Sequence, residues 1–224
     1  MIKRLSIALA TLAVAASAQA ADQFIFGFSG PNAGNYITLN GGTNLAFVDE
    51  GWYFEDGHHD TSNTNYIVGN CSSCSYKGEY RNWFAVDLTG FSGPVTSASI
   101  RLYSYSVTLT SGNYYLNDYT GSVSSLIAGT GGLSAFADLG SGVSYGYQFY
   151  QSATDSYQFF TIALNSGAVD SLNAAIANHE SQWALGGSFA AGDVPVPPPV
   201  PEPATYAFML LGLGVVGAIA RRRG

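Results

Sequence analysis

The sequence predicts an all-β body, a jelly-roll-like two-sheet β-sandwich with one or two short helices, flanked by a signal peptide and a C-terminal transmembrane helix. Three observations carry this expectation. Apolar and polar residues alternate with a period of two in several short runs. Glycine-rich turns separate those runs. The composition favours strands over helices, with 15 Tyr, 13 Phe and 27 Gly beside only 10% charged residues.

The strands follow one another along the body. Phe24 to Phe28 is the first, then Tyr36 to Leu39 and, after Asn40-Gly41-Gly42, Leu45 to Val48. In Asn82 to Leu88 the alternation puts Phe84, Val86 and Leu88 on one face and Trp83, Ala85 and Asp87 on the other. Ser97 to Thr108 alternates too, with Ala98, Ile100 and Leu102 inward and Arg101, Tyr103 and Tyr105 outward. Tyr114 to Asn117, Tyr145 to Tyr150, Tyr157 to Leu164 and Trp183 to Phe189 complete the series. Turns are expected at Ser111-Gly112-Asn113, Gly129-Thr130-Gly131-Gly132 and Gly140-Ser141-Gly142. Val169 to Asn178 reads as a helix, since Asn165-Ser166 offers a cap and Val169, Leu172, Ala175 and Ile176 form an apolar stripe. A shorter helical turn is expected at Val123 to Ala128.

The ends are of a different kind. Residues 1–20 have a basic start at Lys3-Arg4, an apolar run and a close on Ala18-Gln19-Ala20. This is the three-part layout of a secretory signal peptide, cut after Ala20 by signal peptidase. The body is then residues 21–193. Residues 194–203 hold six prolines and read as an extended polyproline spacer. Residues 204–220 are apolar, and 17 residues of helix span roughly 25 Å, near the lower limit for a bilayer core. Arg221, Arg222 and Arg223 end the chain, with Gly224, as a basic tail of residues 221–224 held on the cytoplasmic side.

Pro201-Glu202-Pro203, a short apolar helix and a terminal arginine cluster together resemble the PEP-CTERM sorting signal. The resemblance implies recognition by an exosortase-type membrane cysteine protease in a Gram-negative bacterium that makes exopolysaccharide. It implies transient anchoring at the inner membrane and delivery to the envelope, outer surface or matrix. It covers about the last 25 residues. A second resemblance lies in the body. Arg81-Asn82-Trp83-Phe84-Ala85-Val86-Asp87-Leu88, followed by Val95-Thr96-Ser97-Ala98-Ser99-Ile100-Arg101-Leu102-Tyr103, is similar to a motif of extracellular carbohydrate-binding-like jelly rolls.

Charge excludes one class of partner. From residue 22 to residue 193 the fixed cations are Lys77, Arg81 and Arg101, 3 against 14 carboxylates, a net of −11. A nucleic-acid binder needs a basic footprint, which this body lacks.

The chain's 2 cysteines form Cys71-Ser72-Ser73-Cys74. In an oxidising compartment this spacing reads as a local disulfide, with a catalytic thiol or a metal pair as the alternatives. The segment from Asp49 to Asp60 is the densest polar cluster. It reads as a solvated acidic loop. Asp49, Glu50, Asp56 and Asp60 are its candidate calcium ligands, and His58, His59 and Asp60 its candidate transition-metal set. Trp52, Tyr53, Trp83, Tyr114 and Tyr115, with the outward Tyr103 and Tyr105, are candidates for stacking on sugar rings. No catalytic motif such as G-x-S-x-G or H-E-x-x-H is present.

The sequence thus leads to a non-enzymatic surface or matrix protein associated with exopolysaccharide or biofilm, with no cofactor required. A carbohydrate-binding module is the alternative, and an exposed aromatic row would favour it. A secreted hydrolase comes third and would need a deep cleft with two close carboxylates.

Overall fold

In a computed structural model the structure describes residues 22–28 and 34–189. The signal peptide with Ala18 and Ala20, the proline spacer, the expected span 204–220 and the arginine tail lie outside the described residues. Among the described residues no helix is long and apolar enough to cross a membrane.

The chain forms strands β1 (Gln23–Gly27), β2 (Tyr36–Leu39), β3 (Thr43–Phe54), β4 (Tyr66–Cys71), β5 (Gly78–Asp87), β6 (Ala98–Ser104), β7 (Ser106–Val107) and β8 (Gly112–Asp118). Helices α1 (Val123–Ile127) and α2 (Gly132–Leu139) follow, then β9 (Ser144–Tyr150), β10 (Gln158–Leu164), α3 (Ser166–Ala177) and β11 (Gln182–Phe189). The architecture is an all-β, sandwich-like one. The first layer has the order β10-β6-β2-β3 and the second runs β3-β5-β11-β8-β9.

The two layers share β3. Its first half pairs with β2 and its second half with β5, and the register shifts between Phe47 and Asp49. An extra residue bends a strand and strengthens its twist, so one strand can serve both layers. On the far side β4 joins β5 to β1, and β1 pairs with β7, which continues β6 past Tyr105. The pairings therefore form a closed circuit through β1-β4-β5-β3-β2-β6/β7.

Between the layers lies the main core. Ile37, Ile100 and Ile162 stand side by side across β2, β6 and β10, facing Phe84, Val86, Leu116 and Leu185. The inward assignment of Phe84, Val86, Leu88, Ile100 and Leu102 holds. Asn40 and Gly41 both adopt positive φ, 53° and 67°, and turn β2 into β3. Helix α3 closes one end of the core with Ala168, Leu172 and Ala175. It is capped by Asn165, whose side chain accepts from the Ala168 amide at 3.3 Å.

Three sequence expectations change. The run from Ser97 to Thr108 is not one strand: it breaks at Tyr105 into β6 and β7, because its second part turns to pair with β1. The segment from Asp49 is not all loop, since β3 continues to Phe54. Gly129 to Gly132 is a turn, but α2 begins directly at its end. That helix, with α1, covers the outer face of the second layer, so Trp83 and Ala85 are buried there and not in solvent. β4 escaped the sequence reading, because Tyr66-Ile67-Val68 is a short apolar run without alternation, cut off by Gly69-Asn70.

Candidate functional site

The polar cluster around β3 comes apart in three dimensions. Glu50 is buried on the core face, where its carboxylate accepts from Asn35 Nδ2 at 3.2 Å. The Asp49 carboxyl accepts from the Glu50 amide at 2.9 Å, and burial raises its pKa. Asp56 accepts from the His58 amide at 2.8 Å, whereas Asp60 holds Ser62 through its amide and hydroxyl. His59 stacks on Tyr53 and its Nδ1 donates to the Trp52 carbonyl at 2.7 Å. Burial pushes the His59 imidazole below its usual pKa. Among the described residues no three such groups converge to hold a metal ion. The structure does not bring Asp49, Glu50, Asp56 and Asp60, or His58, His59 and Asp60, together: Asp49 and Glu50 are successive strand residues on opposite faces, and Asp56 to Asp60 lie in the loop beyond the end of β3.

The aromatic candidates divide in the same way. Tyr53 is 0% exposed and offers no ring face to a ligand, and Trp52, 5% exposed, reaches the surface only in a groove that it lines with Tyr80. Both faces of β3 are covered at this point. Trp52 packs with Phe54, Ile67 and Tyr80, and the Tyr53 hydroxyl donates to the Leu126 carbonyl beneath α1 at 2.9 Å. Trp83 and Tyr114 are also buried. Tyr103 and Tyr105 do lie on the outer side of the first layer, where Tyr103 is half-buried and Tyr105 exposed.

Around these two the structure assembles a band of rings. Tyr105 stands 4.5 Å from Phe28 and 5.1 Å from Tyr157, and Tyr103 stands 4.8 Å from Phe159. Phe28, Tyr105, Tyr157 and Phe159 are all exposed, Tyr157 by 62%. Next in the row, the Arg101 guanidinium lies 3.5 Å over the Phe159 ring and 5.5 Å from that of Tyr36. Through Phe26 and Tyr105 the band runs into a groove of about 500 Å³, floored by Trp52 and Tyr80 and rimmed by Asp60, Asn63 and Ser75. Sequence reasoning missed Phe28, Tyr157 and Phe159. The alternation of Tyr157, Phe159, Thr161 and Ala163 places them on one face, but only the pairing of β10 with β6 shows which face it is.

One wall of the groove is the loop that Cys71 and Cys74 close with a disulfide. Asp22 ties it to the start of β1: its carboxylate accepts from the Ser72 amide at 2.6 Å, from the Ser73 amide at 3.1 Å, and from both serine hydroxyls. The Ser73 hydroxyl bond leads the causes that lower the Asp22 pKa.

The body is an all-β, sandwich-like domain with a band of aromatic rings on its outer face. Residues 199–223 match the family model for the PEP-CTERM protein-sorting motif. The chain is accordingly an exported, envelope-associated protein processed by exosortase, a membrane protease. No protein of curated function matches it.

Proposed function

We propose that the body is a non-enzymatic module that holds exopolysaccharide at the outer surface or in the biofilm matrix of a Gram-negative cell. The observation that carries this reading is the set of exposed rings on one side of the body, with Phe28 and Tyr157 packed on Tyr105 and Phe159 packed on Tyr103. Sugar rings present apolar C–H faces that stack on such platforms, while hydroxyls and amides at the margins accept and donate hydrogen bonds. The sorting motif supports an exported, envelope-associated destination, which suits a polysaccharide ligand. The resemblance of β5 and β6 to carbohydrate-binding-like jelly rolls adds to it.

The cavities support binding over hydrolysis. The groove carries a single carboxylate, Asp60, and a second cavity beside α1 and α2 also carries one, Asp138. Asp138 is engaged with the amides of Thr120 and Gly121 at 2.8 and 2.9 Å. Glycoside hydrolysis in its usual form needs a pair.

Co-sedimentation of the exported protein with exopolysaccharide purified from the producing cells tests the reading. Phe159→Ala and Tyr105→Ala should each weaken binding about tenfold, the loss of one stacking contact. Unchanged binding in both variants, or none by the parent protein, would remove the proposal.

A further inference from the structure

We infer that the polysaccharide this face takes is acidic, and that Arg101 clamps a uronate carboxylate between the stacking rings. The inference rests on the saccharide-binding reading above and adds the chemistry of the sugar.

Charge distribution is the first ground. The body is strongly acidic, yet the first layer carries no Asp or Glu on β2, β6, β10 or residues 43–48 of β3. Its single charge is Arg101, at the centre of the outer face, paired across the ladder with Tyr36 and Thr161. The body's net −11 opposes a polyanion at long range, but salt screens that repulsion, and a carboxylate-free face with one guanidinium is locally complementary to a negative charge on a polymer.

The second ground is how Arg101 is held. The other arginine of the body, Arg81, is spoken for: it pairs with Glu79 at 2.9 Å and donates to the carbonyls of Phe136 and Ala137. Arg101 has no carboxylate within ion-pair distance among the described residues. Its Nη1 donates to the Gly34 carbonyl at 2.7 Å, and its flat face rests on Phe159. A guanidinium has five N–H donors in one plane. Stacking occupies a face of that plane and fixes its orientation, and among the described residues the Gly34 carbonyl is the one hydrogen-bond acceptor on its edge, which leaves donors for a planar acceptor. A carboxylate fits this fork two bonds at a time, which a sugar hydroxyl cannot do. The rings of Phe159 and Tyr103 beside it suit the sugar that carries the carboxylate.

Binding of the exported protein to three probes decides the matter: polygalacturonate, neutral dextran and dextran sulfate. Arg101 sits on an exposed face, and thermal melts of each variant confirm folding. The parent protein should prefer polygalacturonate. Arg101→Gln should weaken that binding by roughly tenfold to a hundredfold, the loss expected for a charge-assisted hydrogen-bonded pair, and weaken dextran binding far less. Arg101→Lys should recover only part, because a point charge lacks the planar fork. Equal affinity for dextran and polygalacturonate, with no effect of Arg101→Gln, would overturn the acidic-sugar inference and leave the saccharide reading standing. Dextran sulfate bound as tightly as polygalacturonate, with full recovery in Arg101→Lys, would reduce Arg101 to a generic charge and also overturn it. Failure to bind these probes and the native exopolysaccharide alike would overturn the saccharide reading itself.

Discussion

Tyr157 sets its ring edge-on to Tyr105, centroids 5.1 Å apart, from a backbone in the left-handed region at φ 62°. A bulky residue at positive φ is an outlier with a steric cost of roughly 1–2 kcal/mol. Here that cost is borne by a ring left largely in water, as happens where strain serves a contact with something outside the fold. Tyr157→Gly relieves the strain, offset by the greater chain freedom of glycine when unfolded. Stability should stay within about 1 kcal/mol of the parent, while polysaccharide binding falls. Denaturant melts and co-sedimentation read the two effects separately, and a stability loss above that range would refute the account.

The register of β6 makes a sharper claim. Ile100 and Leu102 face the core, 0% and 1% exposed, and Ser99 points to the outer face. Ile100→Ala or Leu102→Ala should cost about 2–5 kcal/mol in urea melts. Ser99→Ala should stay within about 0.5 kcal/mol. Comparable losses at Ser99 and Leu102 would mean the strand is slipped by one residue.

His59 gives the stability a pH dependence. Burial holds its folded pKa below the usual 6.5 of an exposed imidazole, so the folded protein favours the neutral ring. Its stabilising contribution is therefore complete above about pH 6.5 and is lost as the pH falls and the unfolded chain takes up the proton. Thermal melts between about pH 7 and pH 5 should show a decline that flattens in His59→Gln. The carboxylates with lowered values, Asp22, Asp60 and Asp87, act only at lower pH. Parallel profiles for parent and variant would contradict this assignment.

Processing of the tail is read by mass. The mature protein should end near Pro201-Glu202-Pro203 and lack Arg221, Arg222 and Arg223. Intact-mass spectra from a host with the sorting protease report this directly, and only full-length C-termini would speak against cleavage at the motif.

The sequence alone determined the elements whose signal is local. The period of two in Asn82 to Leu88 and in Ala98 to Leu102 set both register and inner face, because a half-buried strand writes its burial into alternate residues. Asn40-Gly41 announced its hairpin through two residues that tolerate positive φ, Asn165 announced α3 by its cap, and the sorting motif is legible because a protease reads it as sequence. The tertiary structure decided what depends on neighbours distant in the chain. Trp83 and Ala85 look outward in the alternation, yet α1 and α2 arrive from about 40 residues later and bury them. Tyr53 follows the same rule, and Trp52, packed among Phe54, Ile67 and Tyr80, is left only a place in the groove lining. The band itself needs β1, β6 and β10 side by side, joining Phe28, Tyr105 and Phe159 across more than 100 residues of chain. Arg101 reads in the sequence only as an outward charge. Its place on Phe159, in a layer without a carboxylate, arises from strand pairing, a long-range property that no local period encodes.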